Sequence, residues 1–214
     1  VLMYEQFGMD LPGLSRRVKE SLDLLEVQTY IQRNGNTYEY LTDEEQVIEQ
    51  EIKNVDLDPS EISTRFFKIL SSDVIKNNKI RYGKNNQDFP FGFKLDDQPQ
   101  GPQRELTVHF ISVEYPHTPN EIRMHSAGKD ELRVVLASDD RILSELRAVV
   151  RTEKYIKQKQ STSLTPSQEQ ILRSKAGLNS EKEKELVGRV RRSVAQADLV
   201  INATDVPSSS EDPV

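Results

Sequence analysis

Apolar residues recur with helical spacing near the start of the chain. Leu14, Val18, Leu22 and Leu25 stand at i, i+4, i+8 and i+11, the stripe expected of a buried helix face. The period then changes. Residues 27–40 (VQTYIQRNGNTYEY) predict two strands joined at Asn34-Gly35, a pair that accepts the positive φ angles of a tight type I′ turn. Thr42, with Glu45 three residues on, reads as a capping box opening a helix through Val47, Ile48 and Ile52. A helix feeding a hairpin is the carboxyl-terminal part of a winged helix, so residues 1–57 are expected to form a winged-helix-like module.

Asp58 as cap, Pro59 at the first helical position and Glu61 closing a second box start another helix, 59–71, with Ile62, Phe66, Ile69 and Leu70 inward and Phe67 beside them. Residues 89–95 (FPFGFKL) and 104–113 (RELTVHFISV) read as paired strands. The second alternates Leu106, Val108 and Phe110 with Thr107, His109 and Ile111, which makes His109 a half-exposed strand residue. A proline-rich link, 115–130 (YPHTPNEIRMHSAGKD), leads to a third strand, 131–138. The expectation for 58–138 is a small α+β domain, one helix against a three- or four-stranded antiparallel or mixed sheet.

From Asp139 the pattern is helical. Ile142, Leu146, Val149, Val150 and Ile156 mark one helix, and Thr165-Pro166-Ser167-Gln168 starts a second through Ile171, Leu172 and Ala176. Gly177 could bend, end or restart that helix before Leu186, Val187, Val190 and Val194 resume the seam. LVINATDV, 199–206, has the makings of a short strand at the end of this helical region, 139–206, and 207–214 read as a disordered tail or linker. The fold class is α+β throughout.

Composition narrows the function. With 35% apolar and 30% charged residues over 214 positions, small cores and a long solvated helix are expected. No run suits a membrane span or a secretory leader, and Val1 in place of Met suggests a piece of a longer protein. The absence of cysteine excludes thiol catalysis and disulfides in these residues. Charge is uneven: −6 over residues 1–55, −3 over 56–140 and +3 over 141–214. A duplex-gripping domain is locally basic, so an acidic winged-helix module favours protein docking over base reading. The candidates for contact with nucleic acid or an acidic partner are Lys76, Lys79, Arg81 and Lys84, interleaved with Tyr82, and the i, i+4, i+7 stripe Arg147, Arg151 and Lys154.

No catalytic constellation emerges. His109, His117 and His125 are eight residues apart and make no HxxxH or HExxH pattern, so no metal site is expected. Gly83-Lys84 and Gly128-Lys129 are followed by Asn and Asp, where a phosphate-binding loop needs Ser or Thr for magnesium. Neither a catalytic nor a cofactor-binding residue is assigned. A site built from the middle-domain carboxylates and His109 is one rival reading, and a stand-alone winged-helix DNA-binding regulator is another.

The order of segments carries a resemblance. LPGLSRRVKESLDLL, TYIQRNGNTYEYLTDEEQVIEQEI, RYGKNNQDFPFGFKLDD, KDELRVVLASDDRILSELRAVVRTEKYI and TPSQEQILRSKAGLNSEKEKEL together resemble the region downstream of the motor in the large P-loop ATPases of BREX phage-exclusion systems, the BrxC type, over about residues 10–206. The resemblance implies bacterial cytoplasm, antiviral defence, other BREX components as partners, DNA as a further one, and oligomerisation through the parent ATPase. ATP and magnesium would belong to an upstream P-loop, with no cofactor in this segment. It further implies a non-catalytic part that couples the motor to protein partners or DNA.

Overall fold

The computed structural model describes residues 10–34 and 37–207. The first elements follow the expected order: helix α1 (Leu11–Val27), strands β1 (Ile31–Asn34) and β2 (Thr37–Tyr40), and helix α2 (Asp43–Lys53). Asp10 caps α1 by accepting from the Gly13 N–H, and Thr42 with Glu45 forms the reciprocal box at α2. The hairpin pairs Asn34 with Thr37, but the turn type at Gly35 lies outside the described residues, as do residues 1–9 and the tail from 208 on.

The winged-helix expectation is not met, and none is evident among the described residues. Helix α1 buries no side chain completely; Leu14, Val18, Leu22 and Leu25 are only half-buried. The buried residues of α2, Ile48 and Ile52, pack with Tyr155 and Leu172, more than 100 positions further along the chain. Periodicity identifies an amphipathic helix correctly but carries no information on what covers it.

The chain divides into two compact units. One combines the residues up to Val55 with Lys154–Leu178; the other combines Asp56–Glu153 with the residues from Asn179 on. Helices α5 (Arg141–Lys159) and α6 (Pro166–Ala195), with α3 (Pro59–Lys68) and α4 (Pro119–Ser126), complete the helical set. Helix α6 runs unbroken through Gly177, whose missing side chain would have met no neighbour. Helix α3 has the expected Asp58–Glu61 box and widens into a π-helical turn, Ile69–Ile75, which buries Ile69, Leu70 and Val74.

The second unit holds strands β3 (Lys79–Tyr82), β4 (Gln87–Leu95), β5 (Gln98–Gln100), β6 (Leu106–Ile111), β7 (Glu131–Val135), β8 (Asp198–Ile201) and β9 (Thr204–Val206). Six follow the order β3-β4-β6-β7-β8-β9, with β5 paired to β4. The β4, β6 and β7 pairings are parallel and the rest antiparallel, so the sheet is mixed and larger than three or four strands. β3, β5, β8 and β9 have only three or four residues each, too few for alternation to register. The proline-rich link contains α4, which provides the crossover between parallel strands β6 and β7. Its signal is the same as at the other helices: Thr118 as cap, Pro119 at the first position, Glu121 completing the box.

The sheet has two unlike faces. Phe91, Leu95, Val108, Phe110 and Val134 join the core with Phe66, Leu70, Leu146 and Leu186 from the helices. On the alternate positions stand Lys94, His109, Glu131 and Arg133, beneath α4. Arg123 on α4 grips Asp205 bidentately at 2.8 and 2.9 Å, and Ser126 accepts from the Ala203 N–H at 2.8 Å in the β8–β9 turn.

Leu146→Ala, at a fully buried position, is expected to cost about 2–5 kcal/mol in urea denaturation, while Leu22→Ala on the half-buried α1 stripe costs about 1 kcal/mol. Equal losses would place α1 in a core.

Candidate functional site

Alternation along β6 and β7 places His109, Glu131 and Arg133 side by side on the face beneath α4, where His109 and Arg133 are 0% exposed. His109 is therefore not half-exposed; a strand pattern separates two faces but does not reveal that a helix covers the second. Arg133 uses its whole fork: Nε donates to Glu131 at 2.7 Å, Nη1 to the Ile122 carbonyl at 2.7 Å and Nη2 to the His125 carbonyl at 2.9 Å. Both carbonyls belong to α4, and that of His125 lies in its last turn, where carbonyls lack intrahelical donors and a cation is favoured. Lys94 donates to the second Glu131 oxygen at 3.0 Å.

These contacts set the protonation states. Burial alone would raise the Glu131 carboxyl, but the hydrogen bonds from Arg133 and Lys94 outweigh it and hold the group at about 2. Burial lowers His109, against the pull of Glu131 and Asp97. Its Nε2 accepts from the Asp97 N–H at 3.0 Å, which assigns the proton of the neutral ring to Nδ1, 3.6 Å from Glu131. Asp96 and Asp97 form the β4–β5 turn with φ angles of 47° and 65°. Burial raises Asp96 despite bonds from the Ser112 N–H and hydroxyl at 2.8 and 2.6 Å. Tyr115 donates its hydroxyl to Asp97 and is itself pushed up to about 12 by burial and that carboxylate.

The structure thus gathers His109 with the carboxylates, as an enzymatic reading would need, but with the imidazole sealed and its Nε2 bonded to the turn. His109, Tyr115, His117 and His125 form a row of edge-to-face rings, at 6.3, 4.9 and 4.9 Å between successive centroids. Among the described residues, no group of three or more such side chains is arranged to hold a metal ion. Gly83-Lys84 sits in the turn between β3 and β4, and Gly128-Lys129 between α4 and β7, whereas a phosphate loop leads from a strand into a helix.

The sequence-derived cations are placed as follows. Lys76 ends the π-helical turn in a left-handed conformation, φ 58°, and Lys84 is exposed in the β3–β4 turn. Lys79 and Arg81 stand on β3 against one carboxylate, Asp88, at 3.8 and 3.0 Å. Arg147 is held by Glu114 at 2.6 Å. Arg151 and Lys154 are half-buried on α5, and the Arg151 Nε is buried without a hydrogen-bond partner.

Sequence reasoning did not anticipate an apolar cleft of about 470 Å³ where the parallel strands begin. Phe91, Leu106, Val108 and Leu132 line it, with Ile80 and Ile201 from β3 and β8, and Lys129, Asp130 and Asn202 from the loops. Ile80, Ile201 and Leu106 are 50, 44 and 38% exposed. No helix among the described residues is long and apolar enough to cross a membrane.

Glu131 binds its proton more weakly in the folded chain than its ordinary 4.5, so its stabilisation is complete above that pH and is lost as pH falls toward about 2. Glu131→Gln, which leaves Arg133 buried without a counter-charge, is expected to cost about 3–5 kcal/mol at neutral pH. In urea denaturation across pH, the gap to wild type should narrow below the ordinary carboxylate value; a constant gap would show that the charge contributes nothing.

Residues 55–214 match the family model described as the BREX ATP-binding protein BrxC 4th domain with six-stranded beta sheet. The six-strand path β3 to β9 agrees with that description. No solved structure matches the chain. The chain belongs to the BrxC family of the BREX antiphage-defence systems, and the matched residues are a non-motor domain of that ATP-binding protein.

Proposed function

We propose that this chain couples the BrxC motor to other BREX components in the bacterial cytoplasm, by protein docking and without chemistry of its own. The observation that carries this reading is the apolar cleft. Ile80, Leu106 and Ile201 leave the face that elsewhere in the sheet forms the core and lie open to solvent around it. A contiguous concave apolar patch on a domain of a multi-component system is what a partner's side chains fill. The buried charged residues point the same way, since Arg133, Glu131 and His109 serve the architecture of the sheet.

A second reading, DNA contact, draws on one feature: Lys79 and Arg81 flank Ile80 on β3, with Lys129 at the same cleft. Against it, Asp88 lies close to both β3 cations and Glu114 holds Arg147.

Ile80→Asp and Ile201→Asp, at exposed positions, should leave the melting temperature within a few degrees of wild type and weaken binding to the purified cognate BREX component at least about tenfold, measured by calorimetry. Unchanged affinity for every component would sink docking at the cleft. Fluorescence anisotropy with labelled duplex and single-stranded DNA across a salt series decides the second reading: steep weakening with salt supports phosphate contact, with charge reversal at Arg147, Arg151 and Lys154 then locating it.

A further inference from the structure

The family match and the compact units divide the chain differently. The match starts at residue 55, so α1, the hairpin and α2 precede the fourth domain. Yet Lys154–Leu178, well inside the match, form one compact unit with those preceding residues. That segment is a helical hairpin: the end of α5, the loop at 160–165, and the start of α6.

Its contacts with α2 have an apolar centre and a charged rim. Ile48 and Ile52 of α2 pack with Tyr155 of α5 and Leu172 of α6, flanked by half-buried Val55, Ile156, Leu164 and Ile171. Around them, Glu51 accepts from the Tyr155 hydroxyl at 2.6 Å and pairs with Lys159 at 2.9 Å. Lys175, with its side chain only 8% exposed, donates to Gln32 at 2.6 Å and pairs with Glu49. Ser167 donates to Glu44. Composition fits the contact. Residues 154–178 hold five Lys/Arg and one Glu, while α2 holds five Asp/Glu and one Lys.

We propose that the α5–α6 hairpin tip is a docking element of the BrxC fourth domain, built to hold the acidic amphipathic helix that precedes the domain. The basic residues here recognise protein: their ligand is a helix with carboxylates at its rim and isoleucines at its centre. This deepens the coupling reading and rests on it for its purpose, because α2 is the last helix before the match begins and a displacement arriving along the chain meets the fourth domain at this clasp.

Hydrogen exchange by mass spectrometry on the full chain tests it. Lys175→Glu puts an acid against Glu49, and exchange in α2 and in residues 154–178 should rise at least about tenfold, with β6 and β7 unchanged. Adding Glu49→Lys should restore most of the protection. Tyr155→Phe keeps the ring and deletes the bond to Glu51, and should give a smaller rise in the same segments. Unchanged exchange in α2 would overturn the proposal, as would equal loss in β6 and β7, which would make the hairpin an ordinary part of one cooperative fold. The coupling reading fails separately: if Lys175→Glu frees α2 while full-length BrxC keeps its response to the other BREX components, the clasp stands and its role in transmission does not.

Discussion

The second unit depends on one buried ion pair. Arg133 and Glu131 lie on β7, in the interior of the sheet, with their side chains 0 and 3% exposed. Two charges removed from water are costly unless every remaining donor finds an acceptor. Here α4 supplies the acceptors, with the Ile122 and His125 carbonyls taking the two outer nitrogens of Arg133. The pair therefore does more than neutralise itself: it ties the crossover helix to the strand that follows it. Arg123 and Ser126 then carry α4 to the β8–β9 hairpin. Without the guanidinium, α4 would lose its polar tie to β7 and Glu131 would keep only Lys94 as a donor.

The two faces divide the labour. Beneath α4, specificity comes from directional bonds: the Asp96-Asp97 turn is held by His109, Ser112 and Tyr115, all three at or beyond the end of β6 or within it. The opposite face is filled by dispersion and burial, with Phe67, Phe91, Phe93 and Phe110 in edge-to-face or stacked contact. That apolar face is not fully covered. Where the parallel strands begin, Leu106 and Ile201 are left open, and the cleft follows from an apolar layer that runs past its helices.

Local signals were legible in the sequence. The boxes at Thr42–Glu45, Asp58–Glu61 and Thr165–Gln168 involve side chains three residues apart, so the chemistry that starts each helix is written in one short stretch. The same signal at Thr118–Glu121 was present but sat among prolines before a helix of only eight residues. What could not be read was partnership. Arg147 meets Glu114 across 33 positions and Lys175 meets Glu49 across 126, and neither pairing leaves any trace in spacing. The winged-helix expectation failed for the same reason: helix, hairpin and helix are local facts, whereas the surface that covers α2 comes from α5 and α6.

Charge asymmetry has a different meaning once those partners are known. An acidic amino-terminal region and a basic carboxyl-terminal one look, in sequence, like a surface that repels nucleic acid followed by one that attracts it. In the first unit the two signs meet each other. The carboxylates of α2 face lysines of the α5–α6 tip, and around an apolar centre such pairs add orientation and register more than net stability. Under the proposed coupling, such a contact would re-form in one register after each displacement, because isoleucine against leucine tolerates sliding while Lys175 between Gln32 and Glu49 does not.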